Sequence, residues 1–132
     1  FVAEKAKESG YYPPIIVPKA LEIGPRLLNT FTTAYKFGIK IAFGTDSGVS
    51  YHGDNAKEFV YMVEGGMLEI EAIKSATVVP AQLLNISEKF GTIESNKIAD
   101  IIAVDGDPTQ DIRSMLKVVF VMKNGKVYKT PN

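Results

Sequence analysis

The spacing of apolar side chains divides the chain into a helical part and a shorter strand-rich part. From Ile23 to Tyr35 an apolar residue recurs at every fourth position, which is the spacing of one helix face. Pro25 suits the start of this helix and Gly38 its end. Three further helices are predicted: residues 55–65, with Asn55 as N-cap and Glu58 completing a variant capping box; residues 69–76; and residues 81–85, opened by Pro80. Helices are therefore predicted to dominate the first two thirds of the chain.

Short apolar runs predict strands in two places. Residues 39–43 alternate apolar with smaller or polar side chains before Gly44, which is typical of a short buried strand. Residues 98–104 and 117–122 form further β-rich runs. Asn124-Gly125 predicts a two-residue hairpin turn, because both residues tolerate positive φ. One strand among helices, followed by strands of another sheet, indicates one βα unit plus part of a second domain.

Composition and charge narrow the classes of function. The 132 residues are 45% hydrophobic, enough for a core of about one domain. Fifteen basic residues balance fifteen acidic ones, so charge gives no reason to expect nucleic acid or a membrane as partner. The absence of cysteine excludes disulfides, thiolate metal sites and cysteine nucleophiles. No apolar run approaches the roughly 20 residues that span a bilayer. The first residues resemble the inside of an amphipathic helix and not a signal peptide, so we expect a piece of a longer protein, cytoplasmic by default.

The candidate for chemistry is Asp46, in the segment Gly44-Thr45-Asp46-Ser47-Gly48 directly after the first predicted strand. In α/β folds, ligands bind outside the carboxyl ends of strands, where loops converge. A carboxylate at that place can bind a metal ion or accept a proton. The alternative is that Asp46 caps a turn, and a lone carboxylate after a strand does not decide between the two.

Other chemistries use the same residue types. A serine-protease triad requires a histidine base held by a second acid, and the only histidine, His52, has no marked partner. Asp46-Ser47-Gly48 also matches the aspartic-protease pattern, in which a homodimer would supply one carboxylate per subunit. The predicted helices argue against that fold, which is almost entirely β. A phosphate loop would require a Gly-Lys-Ser/Thr sequence, which does not follow. A single histidine in a loop rich in Gly and Asp, such as His52, is more often a solvated turn residue than a ligand.

Several local patterns occur in an order that resembles the amidohydrolase superfamily. Residues 39–48 are similar to the eighth barrel strand of that superfamily and the loop after it. Several short segments resemble the helices that follow this strand in the family: His52-Gly53-Asp54-Asn55 with Glu58, Gly65-Gly66-Met67, Glu71-Ala72-Ile73, Ala76-Thr77, Pro80-Ala81 and Leu83-Leu84. The later segments resemble the part of the family's chain that re-enters a small β-sandwich domain. They are Gly91-Thr92-Ile93-Glu94, Lys97-Ile98-Ala99-Asp100, Gly106-Asp107-Pro108 and the closing hairpin Asn124-Gly125-Lys126-Val127. The match runs from about Lys19 to Tyr128 and points to the Xaa-Pro dipeptidase and imidazolonepropionase-like branch.

The resemblance implies an α/β fold in two parts. Residues 1–90 would be the C-terminal part of a (β/α)8 barrel, with its last strand and the following helices, and residues 91–132 a remnant of the β-sandwich domain. It also implies a metal-dependent hydrolase of C–N bonds, of the dipeptidase or cyclic-amidase type, acting on a small or dipeptide-like substrate. Asp46 would ligate a divalent metal, Zn²⁺ or a similar ion, and accept a proton from the bound water. His52 would contact the substrate.

The departures from the family pattern concern missing parts. The family's other metal ligands are histidines on the first, fifth and sixth strands and a lysine or glutamate on the fourth, and none can be assigned here. We therefore expect this chain alone to hold no metal and to be inactive, and a non-catalytic degenerate fragment is the other interpretation. The strands of this chain lack the neighbouring strands that they have in the family, which leaves open sheet edges. We therefore expect either a homo-oligomer or a rearranged packing of the helices over the strands. Asn96 replaces a usual glycine and tolerates left-handed backbone, whereas Leu68 replaces a helix cap worth about 1 kcal/mol.

Overall fold

The computed structural model describes residues 2–48 and 53–131, in which five α-helices precede a three-stranded antiparallel sheet. The helices are α1 (Val2–Lys5), α2 (Val17–Lys36), α3 (Lys57–Glu64), α4 (Glu69–Ser75) and α5 (Val78–Leu83). The strands are β1 (Ile101–Val104), β2 (Val118–Lys123) and β3 (Lys126–Lys129), and short 3-10 helices cover Asp54–Ala56 and Ile112–Leu116. The mixed α/β class and the predicted change from a helical part to a strand-rich part are therefore confirmed.

Helix α2 is longer than the sequence predicts, and Pro25 lies inside it instead of at its start. Pro18, at the N-terminal end, occupies a position where a missing N–H costs little. Helix α1 packs against α2 so closely that a Cβ at Gly24 would lie 2.3 Å from the Cβ of Ala3. This contact lies directly before Pro25 in the chain. The predicted end is confirmed, since Gly38 has φ +73 just after the last turn.

The C-terminal half of α2 is attached to the junction between α3 and α4. Thr32 Oγ1 donates a hydrogen bond to the carbonyl of Gly65 at 2.7 Å, and Tyr35 Oη donates to Glu71 Oε2 at 2.5 Å. A Cβ at Gly65 would lie 2.6 Å from the ring of Phe31. Gly65 has an ordinary helical φ of −75, so its lack of a side chain serves the close approach of two helices and not the turn.

Helices α3, α4 and α5 lie where the sequence predicts them, but two of their starts differ. Helix α3 begins at Lys57 after a turn of 3-10 helix and has no side-chain cap, so Asn55 is not its N-cap and Glu58 completes no capping box. Pro80 lies inside α5, still within the first turn, where N–H groups have no intrahelical partner. Leu68 precedes α4 without a side-chain cap, as predicted.

Residues 39–43 are not a strand, contrary to the prediction. In the part of the chain that the structure describes, no strand lies beside them, and a ladder needs a neighbour to accept and donate its hydrogen bonds. Ile39 is 59% exposed, and partial burial begins only at Ile41. Alternating apolar residues alone therefore do not make a buried strand. We call residues 39–45 the stem, because they lead from α2 to Asp46.

The sheet has the order β1-β2-β3, with Ile101 of β1 opposite Met122 of β2. The predicted hairpin turn between β2 and β3 is confirmed at Asn124-Gly125, with φ +49 and +75. The N–H of Asn124 donates to Asp100 Oδ1 at 2.7 Å, which ties the turn to the residue before β1. Asn96 has φ +69, as expected for an asparagine in place of glycine.

The core joins the helices to the segment between β1 and β2. Helix α3 packs on α4 and on the 3-10 helix Ile112–Leu116, which lie on opposite sides of the predicted boundary after residue 90. That boundary, the barrel and the β-sandwich stay predictions. Of the helices within residues 2–48 and 53–131, none is long and apolar enough to cross a membrane. The buried cluster consists of Phe59, Met62, Met67, Ala72, Ile112 and Met115.

Candidate functional site

The stem is held by α3 and α4 at Phe43. The ring centroid of Phe43 lies 4.4 Å from that of Phe59, with the planes tilted by 31°. The N–H of Phe43 donates a hydrogen bond to the carbonyl of Ser75 at 2.8 Å. Because Phe59 and Ser75 are both buried, the backbone at Phe43 is fixed against the core of the molecule.

Asp46 follows the stem and is exposed. Its φ is +46, in the left-handed region that aspartate and asparagine adopt more readily than most residues. A non-glycine residue in this conformation costs of order 1 kcal/mol, and such residues cluster at functional sites. A tight turn also favours this backbone, so the conformation by itself does not assign a function. The structure thus places an accessible carboxylate at the end of a core-anchored segment.

The Asn55 side chain connects residues on both sides of the segment 46–52. Its Nδ2 donates to Thr45 Oγ1 at 3.0 Å, and its Oδ1 accepts from the N–H of Gly53 at 3.1 Å. Lys57 and Asp54 form an ion pair beside it, with Nζ to Oδ2 at 3.3 Å. The sequence predicts Asn55 to be a helix cap instead. An asparagine close after a glycine in a loop was the available signal for this different contact.

Glu58 is half-buried in the first turn of α3. Burial raises the pKa of its carboxyl, because the charged form loses water contacts. The sequence does not signal this shift, since it depends on what packs over the helix.

Two of the predicted site features extend beyond what the structure describes. His52 lies outside the described residues, so its contact with a substrate stays a prediction. Within residues 2–48 and 53–131, no group of three His, Asp or Glu side chains could hold a metal ion. A catalytic zinc site takes three protein ligands, so Asp46 can supply one ligand of such a site but not the whole site. The described residues do not by themselves fit a metal ion.

A mostly apolar cavity of about 760 Å³ is lined by residues of α4, α5 and the sheet, and Asp46 is not one of the lining residues. Of the described residues that line it, Asp100 and Lys123 alone carry charge. The other polar side chains in its lining are those of Thr77 and Thr92, so the cavity is mostly apolar. Its apolar wall includes Ile73, Leu84, Ile86, Phe90, Ile101 and Met122.

A comparison with protein-family models identifies the family of the chain. The model of the Amidohydrolase family matches residues 1–128. A comparison with curated proteins finds no match. The family match does not support the interpretation of Asp46-Ser47-Gly48 as half of a homodimeric aspartic protease.

Several solved structures are similar to this chain over nearly all of its length. A Xaa-Pro dipeptidase with methionine bound in its active site is 53% identical, with a TM-score of 0.87 over 98% of this chain and 32% of that one. A prolidase complexed with N-methylphosphonate-L-proline is 28% identical, with a TM-score of 0.80 over 98% and 32%. An ochratoxinase from A. niger is 30% identical, with a TM-score of 0.71 over 94% and 29%. The chain thus spans about a third of the length of these proteins. A rearranged packing of helices over strands, one of the two predicted outcomes, is wrong, since the backbone follows that of the relatives.

Proposed function

Because the chain belongs to the amidohydrolase family, we propose that it forms part of a metal-dependent hydrolase that cleaves the C–N bond of a dipeptide-like substrate, with Asp46 in its active site. The observation that carries the proposal is the exposed carboxylate of Asp46 on a stem that is fixed to the core at Phe43. The substrate class is supported by the ligands of two similar structures, which are methionine in the dipeptidase and a phosphonate of proline in the prolidase.

Amide hydrolysis requires two proton transfers, and one carboxylate can serve both. The attacking water must lose a proton, and the leaving nitrogen must gain one. The accessible carboxylate of Asp46 accepts the proton from water and returns it to the leaving amine. We propose that Asp46 would be one ligand of a divalent metal such as Zn²⁺, which would lower the pKa of a bound water. The other ligands would come from outside the described residues. His52, six positions after Asp46, is proposed to contact the substrate.

The test uses an enzyme that contains this chain. In the Xaa-Pro dipeptidase, the part that the chain matches is replaced by this chain, which is 53% identical to it; we call the product the chimera. Asp46→Asn keeps the size and the left-handed backbone while it removes the proton acceptor. We expect kcat for an Xaa-Pro dipeptide to fall by at least about 100-fold.

The matched control is Asp105→Asn, the same substitution at an exposed residue just after β1, which should leave kcat unchanged. An Asp46→Asn chimera with kcat within a few-fold of the parent chimera would make Asp46 a turn residue. A folded parent chimera that hydrolyses no dipeptide would favour the interpretation as a non-catalytic fragment. His52→Ala should chiefly raise KM, and unaltered kinetics would reduce His52 to a loop residue.

A further inference from the structure

The side chain of Asn55 is hydrogen-bonded to Thr45, the residue directly before Asp46. Its Nδ2 binds the hydroxyl of Thr45, the residue before Asp46, while its Oδ1 binds the N–H of Gly53. The two contacts require a side chain with a donor and an acceptor at a fixed separation, which the carboxamide provides. The orientation of the amide follows from Gly53, because a backbone N–H can only donate and must face the oxygen.

The backbone of Asn55 is itself firmly placed. It belongs to the 3-10 helix Asp54–Ala56, which continues directly into α3. Helix α3 is anchored by Phe59 and Met62, which are 7% and 3% exposed. The side-chain amide of Asn55 therefore holds Thr45 at a fixed position relative to the core.

The stem needs such a second attachment because Gly44 separates its two fixed points. Phe43 is held by Phe59 and by Ser75, but the backbone can rotate most freely at the glycine that follows. The bond from Asn55 to Thr45 limits that rotation directly before Asp46. We propose that Asn55 is a positioning residue, which aims the Asp46 carboxylate through Thr45 without touching the substrate. This inference rests on the proposed function of Asp46.

The test compares variants of both partners in the chimera. Asn55→Ala removes the donor, and Thr45→Val removes the acceptor while it keeps the branched shape. Small displacements of a catalytic group slow the chemical step, so each variant should lower kcat by roughly tenfold and leave KM within about twofold. The conservative variant Thr45→Ser keeps the hydroxyl and should restore most of kcat. The double variant should be no slower than the slower single variant, since both remove one interaction.

Each outcome decides the role of Asn55. Parent-like kcat in Asn55→Ala, equal kcat in Thr45→Ser and Thr45→Val, or additive losses in the double variant would each overturn the proposal. A lower melting temperature with unchanged kcat would mean that Asn55 only stabilises the fold. If Asn55→Ala does not fold, the Thr45→Val and Thr45→Ser pair decides. The two proposals fail separately: an active Asp46→Asn refutes the role of Asp46, whereas an inactive Asp46→Asn with a parent-like Asn55→Ala refutes only the role of Asn55.

Discussion

Phe59→Ala tests whether one aromatic side chain joins the stem to the core of the molecule. Phe59 is 7% exposed, belongs to the buried cluster and lies 4.4 Å from the ring of Phe43. Phe37, at the end of α2, is 81% exposed. Phe37→Ala is therefore the matched control, with the same atoms removed from a solvated site.

The expected cost follows from what surrounds each ring. Truncation of a buried phenylalanine costs about 3–5 kcal/mol, and an aromatic pair contributes roughly 0.5–1.5 kcal/mol beyond burial. Phe59 also lines the apolar cavity of about 760 Å³, so part of its ring lacks a packed neighbour. We therefore expect the lower end, about 3 kcal/mol. Phe37→Ala should change the free energy of unfolding by less than about 0.5 kcal/mol.

Urea unfolding followed by far-ultraviolet circular dichroism measures both values at one protein concentration. The dependence on urea should be the same in both variants, so that the midpoints report stability. A double-mutant cycle of Phe43→Leu with Phe59→Leu should show a coupling of about 0.5–1.5 kcal/mol. Equal costs for Phe59→Ala and Phe37→Ala would refute the assignment of the core, and zero coupling would refute the anchoring of the stem.

Three other results are expected of the chain on its own. It should bind no stoichiometric metal and hydrolyse no dipeptide, because the described residues offer no group of three ligands; elemental analysis that finds one tightly held ion per chain would contradict this. Glu58→Gln should raise the melting temperature at neutral pH but not below pH 4.5, the ordinary pKa of glutamate. The sign follows from the raised pKa, because protonated Glu58 carries no burial penalty and its ionisation opposes folding as the pH rises; an equal gain at both pH values would exclude this cause. The chain should also self-associate through the uncharged edge strand β1, so light scattering at micromolar concentration should give more than the mass of one chain. Ile102→Lys on β1 should lower that mass and Val127→Lys on the lysine-bearing edge β3 should not, whereas a wild-type monomer would show that the edges are already covered.

Local sequence signals were reliable where a residue acts within its own turn. Asn124-Gly125 adopts positive φ at both positions, and Gly38 and Gly66 do so where helices end. Gly65 is also predicted to end a helix, but the structure requires a glycine there because the ring of Phe31 from α2 leaves no space for a side chain. That reason involves a residue more than thirty positions away, which no local pattern can reveal.

Three predictions failed because they depended on neighbours distant in the chain. The alternation in residues 39–43 suits a strand, but no strand lies beside it among the described residues. Pro25 suits a helix start, but α2 continues through Pro25 and packs against α1. Asn55 suits a cap, but its amide is engaged by Thr45 and Gly53. In each case the residue type permits several structures, and tertiary contacts select one.

The sequence by itself determined the division into a helical part and a strand-rich part, the hairpin, the family and the choice of Asp46 as the candidate for chemistry. These depend on residue types within a few positions of each other, or on motifs that occur in a set order along the chain. Only the tertiary structure decided that Phe43 is held by Phe59, that Thr45 is held by Asn55 and that Glu58 is half-buried. The physical reason is that a hydrogen bond or a desolvated charge depends on groups brought together by folding, and their separation in the sequence does not encode their distance in space.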